Sequence, residues 1–85
     1  MGAIVHDDPQ IEGFEVESIY LVSAGTDITK RHTIIQQVKQ FGAPLLVTAG
    51  GRYDLVLKPV NGSAVKVQQD LSPTAGQIMH FGGTQ

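Results

Sequence analysis

The sequence predicts an α+β domain, one amphipathic helix packed on a four- or five-stranded, mostly antiparallel sheet, in the order β-α-β-β-β. Three observations lead there. Apolar residues recur at helical spacing across 27–41, an alternating run precedes them, and three short apolar runs separated by glycine-rich turns follow.

The first strand is expected over 14–22, "FEVESIYLV". Phe14 and Val16 alternate with Glu15 and Glu17, and from Ser18 the run becomes continuously apolar, as in a central strand buried on both faces. Residues 1–12, with Pro9 before Gly13, read as a loose lead-in.

The helix is expected over 27–41. Thr26 or Asp27 serves as its cap, and Gly42 followed by Pro44 ends it. At 100° per residue, Ile28, Ile34, Ile35, Val38 and Phe41 fall within an arc of about 140°. Lys30, Thr33, Gln36, Gln37, Lys39 and Gln40 lie outside it.

A meander follows. Residues 45–49 and 52–60 flank Gly50-Gly51, a pair suited to a two-residue hairpin turn. That pairing sets Leu46, Thr48, Tyr53, Leu55 and Leu57 on the helix-facing side, and Leu45, Val47, Ala49, Arg52, Asp54, Val56 and Lys58 on the other. Asn61-Gly62 leads into a further strand over 64–68. A three-residue loop there brings Val65 and Val67 beside Leu57 and places Lys58 opposite Lys66. Residues 77–81 form a possible last strand, and 82–85 read as a frayed end.

Eighty-five residues suffice for one domain. The composition, 41% apolar and 16% charged, excludes a wholly disordered chain. The net charge of −2 is uneven: residues 1–18 carry five carboxylates and no Lys or Arg, whereas all six basic residues follow with Asp27, Asp54 and Asp70. Scattered cations do not form the strong basic patch of a nucleic-acid binder. Without cysteine there is no disulfide, thiolate nucleophile or Cys-based zinc site. The chain shows neither a signal-peptide pattern nor an apolar run long enough to span a membrane, so a soluble, cytoplasmic protein is expected.

The segment "SAGTDITKRH" (23–32) carries the sharpest local chemistry. A strand end, a small-residue loop and a helix start are the ingredients of an anion site, with Gly25, Thr26, Lys30, Arg31 and His32 as its residues. Against it stand the single glycine, the Asp27 carboxylate where a phosphate would sit, and the ordinary capping role of Thr26-Asp27. In that second reading the three basic side chains are solvated or are neutralised by the acidic N-terminal segment.

His6, His32 and His80 lack ligand spacing, so no metal or other cofactor is expected. No hydroxyl sits in a nucleophile motif, and the Asp7/Asp8 and Glu15/Glu17 pairs lie in wet surroundings. "GGRYD" (50–54) reads as a hairpin. These absences favour a non-catalytic module over an enzyme. One helix leaves half the sheet uncovered, so the expected interaction face is Leu45, Val47, Arg52 and Val56, or an edge strand. The partner is then another protein or a second copy of the chain.

Overall fold

A computed structural model describes residues 1–7 and 15–82, and its architecture is all-β. Seven strands follow in order: β1 (Gly2–Asp7), β2 (Val16–Ser23), β3 (Gln36–Val38), β4 (Leu45–Val47), β5 (Tyr53–Pro59), β6 (Val65–Leu71) and β7 (Ile78–Gly82). They form a three-stranded sheet, β4-β1-β7, and a four-stranded sheet, β3-β2-β5-β6. Every pairing is antiparallel except that of β1 with β7, where Ala3 lies opposite Ile78 and Asp7 opposite Gly82.

The α+β expectation is therefore wrong: no described residue is helical. Segment 27–41 turns over 27–30, runs irregularly to β3 and leaves through Phe41. Its composition explains the outcome. Ile28, Thr29, Thr33, Ile34, Ile35 and Val38 are β-branched, and the segment has no Ala, Leu, Glu or Met to favour a helix. The expected stripe divides among three surroundings. Ile28 packs on one face of the four-stranded sheet, Val38 and Phe41 pack against the core on the other, and Ile34 and Ile35 are exposed.

The main core lies between the sheets. Ile4, Leu45 and Val47 meet Ile19, Leu21, Tyr53, Leu55, Leu57 and Leu71 there, with Met79 and Phe81 packed alongside. β2 and β5 are central strands, and their continuous apolar stretches are buried on both faces.

Three connections differ from expectation. Part of the loose lead-in, residues 2–7, is β1, the middle strand of its sheet; the remainder, 8–12, lies outside the described residues, as do 83–85 of the frayed end. Gly50-Gly51 closes no hairpin. β4 pairs with β1 and β5 with β2 and β6, so this turn carries the chain between sheets. The facing of β4 reverses accordingly: Leu45 and Val47 point inward and Leu46 outward. The hairpin of β5 and β6 does form, with Leu57 opposite Val65, but Lys66 lies opposite Val56 and not Lys58.

Candidate functional site

The outer face of the four-stranded sheet carries the most polar chemistry. Tyr20, Val22 and Val56 form a second buried cluster there, covered by Ile28 and Ala64. Beside it Asp54 is only 1% exposed. Its Oδ2 accepts from the Gly25 N–H at 2.9 Å and from Lys66 Nζ at 2.8 Å, and its Oδ1 accepts from the Asp70 N–H at 2.8 Å. Burial pushes the Asp54 carboxyl up, but the Lys66, Asp70 and Gly25 donors outweigh it, and its pKa falls below the ordinary value.

This carboxylate fastens three pieces of chain. It fixes the turn at Gly25, whose φ of 85° suits glycine, and it holds the irregular end of β6, where Asp70 adopts a φ of 59°. Asp70 in turn accepts two 2.7 Å bonds from the Arg52 guanidinium, which lower the Asp70 pKa and raise that of Arg52. Ser23, Ala24, Gly25, Arg52 and Asp70 line a shallow cleft over Asp54. Every charge in that cleft already has a partner.

The anion cradle expected around 25–32 loses its backbone component. The Gly25 N–H serves Asp54, the Thr26 N–H bonds the Ser23 carbonyl at 3.1 Å, and no helix dipole exists. Asp27 Oδ1 accepts from both the Thr29 hydroxyl and its N–H, which holds the Asp27 carboxyl below its usual range. The side chains remain. His32 stacks on Tyr20, with ring centroids 5.9 Å apart and planes at 18°, and its Nδ1 lies 2.7 Å from the Lys30 carbonyl. Burial raises the Tyr20 pKa above its ordinary value.

Lys30, Arg31 and His32 line a groove of about 800 Å³ with Tyr20, Ile28, Ala64 and Lys58. The expected neutralisation by the N-terminal acids is not made by Asp7, which pairs with His80, or by Glu17, which pairs with Lys58; Asp8 and Glu12 lie outside the described residues.

The expected interaction face is not one surface. Leu45 and Val47 are buried between the sheets, Val56 is buried on the outer face of the other sheet, and only Arg52 is exposed. Sequence reasoning missed Asp54, although a lone carboxylate inside the apolar run "YDLVL" is itself a sign of a paired, buried charge.

The four sheet edges differ in protection. β4 is shielded by the Gln36 side chain, whose amide bonds both the Leu46 carbonyl, at 2.7 Å, and the Leu46 N–H, at 3.0 Å. β3 is three residues long, and β6 carries two register shifts and charged side chains. β7 runs five residues against β1 without a register shift, and its one titratable side chain is His80.

Among the described residues, no three His, Cys, Asp or Glu side chains converge as a metal site, and no helix is long and apolar enough to cross a membrane. Comparison with protein-family models, curated proteins and solved structures finds no match.

Proposed function

We propose that this chain is a non-catalytic interaction module that associates with a second copy of itself through the edge of β7. The observation that carries this reading is that β7 is an edge strand which, among the described residues, lacks the protection given to β3, β4 and β6. The Ala3 N–H bonds the Gln77 carbonyl, which sets the parallel ladder so that Ile78 and His80 turn their own N–H and C=O groups to the open side.

A two-fold axis at Met79 pairs Ile78 antiparallel with the second copy's His80, and each pair exchanges both backbone hydrogen bonds. The result is one continuous six-stranded sheet. Apolar surface lies at this edge: Ile78 is 60% exposed and Met1, beside it, 74%. Together they supply area to bury that backbone pairing alone lacks.

Sedimentation velocity over a wide concentration range tests the proposal. The expected result is a monomer–dimer equilibrium that Ile78→Lys abolishes and Val65→Lys, at an exposed position on β6, leaves intact. A strict monomer at millimolar concentration, or an Ile78→Lys variant that dimerises normally, overturns it.

A further inference from the structure

The groove beside the 28–34 segment lies on the other sheet and is independent of the β7 edge. We propose that it binds a small anionic compound with a flat, apolar body.

Charge supports the anion. Lys30 and Arg31 have no ion pair among the described residues, although the whole chain is net negative. Lys58 and Glu17 both line the same groove and pair with each other at 3.5 Å, which leaves Lys30 and Arg31 as its excess charge. Two cations lining one groove, neither ion-paired among the described residues, favour a ligand that brings a negative charge.

The groove's floor and size support the body. Tyr20, Ile28 and Ala64 form an apolar base, and the His32 ring, stacked on Tyr20, presents a flat wall. The groove, about 800 Å³ and open to solvent, has room for a small molecule laid on this floor. Two uncompensated cations are too few to track a nucleic-acid backbone. Backbone N–H groups take no part, because those of Gly25 and Thr26 are already bonded. Recognition is therefore by side chains: Lys30 and Arg31 hold the anion while Ile28 and His32 contact the body.

The probes are naphthyl phosphate, inorganic phosphate and naphthol, each titrated into the full chain at physiological ionic strength while amide shifts are followed. The expected result is saturable binding of naphthyl phosphate, with shifts centred on Tyr20 and Ile28–His32. Phosphate or naphthol alone should bind about tenfold more weakly or worse. The double variant Lys30→Gln/Arg31→Gln, altered only at exposed positions, should keep its melting temperature and lose about tenfold in affinity, the equivalent of one charge-assisted hydrogen bond. Shifts centred elsewhere, phosphate or naphthol binding as tightly as naphthyl phosphate, or undiminished affinity in the double variant overturns the proposal. Because both substitutions lie away from β7, dimerisation and ligand binding can fail separately.

Discussion

Asp54 makes the stability of this protein depend on pH. Its folded-state pKa lies below the unfolded value, so its contribution is fully present above about pH 4 and is lost as pH falls through the folded value. Asp27 and Asp70 shift in the same direction but are exposed and add less. Asp54→Asn keeps the shape and removes the charge, leaving Lys66 without its partner. We expect a loss of about 3 kcal/mol at neutral pH and a flatter fall in melting temperature on acidification. Thermal melts of both proteins between pH 7 and pH 2.5 check this. A second residue-scale limit is steric. A methyl at Gly2 would sit 2.8 Å from Pro73 Cβ and 2.9 Å from the Thr74 carbonyl oxygen, where the 72–77 turn crosses β1. Gly2→Ala should cost about 1–3 kcal/mol in a denaturant titration. At this scale Asp54 is partly legible as a charge within an apolar run. Its partner Lys66 is not, because the irregular pairing of β6 brings the two together.

Among the elements, Gln36 is a β3 residue that guards β4. Gln36→Ala removes both bonds to Leu46 and should lower stability by only about 1 kcal/mol, since exposed groups return to water. Its larger effect should be on association, because β4 gains an open backbone edge. Light scattering at matched concentrations checks this, and an increase over the parent protein is expected. The central strands were readable from their apolar runs, as Ile19–Val22 and Leu55–Leu57 show. The 27–41 segment was not. Its apolar residues fit a helical arc by spacing, yet Ile28 serves one face of a sheet, Val38 and Phe41 the other, and Ile34 and Ile35 neither, and a periodicity count cannot distinguish these cases. Its β-branched content was the better signal. The groove follows from this difference: an irregular segment laid over a sheet can leave Lys30, Arg31 and His32 at the margin of an apolar floor, which a capped helix start would not do.

For the whole molecule, the chain crosses between sheets repeatedly, and three of the five strand pairings, β1 with β4, β1 with β7 and β2 with β5, join strands distant in sequence. Such non-local pairing is slow to form. We expect folding in about milliseconds to seconds in stopped-flow experiments, slower than a helical protein of this length. The topology was the least legible level. Gly50-Gly51 carries every local sign of a hairpin, and only the competition of β1 for β4, and of β2 for β5, decides otherwise. β1 itself was hidden, because the six residues of "GAIVHD" are too few to show a period before a proline-containing stretch. The parallel pairing of β1 with β7 also imposes an order on biosynthesis. β4 can cover one flank of β1 early, but the other flank waits for β7. At ~5–20 residues per second, the ~75 residues between Ala3 and Ile78 take roughly 4–15 s to synthesise. Until then each nascent chain presents a vacant strand position beside Ile4, and a β7 from a neighbouring chain on the same messenger can reach it before its own does.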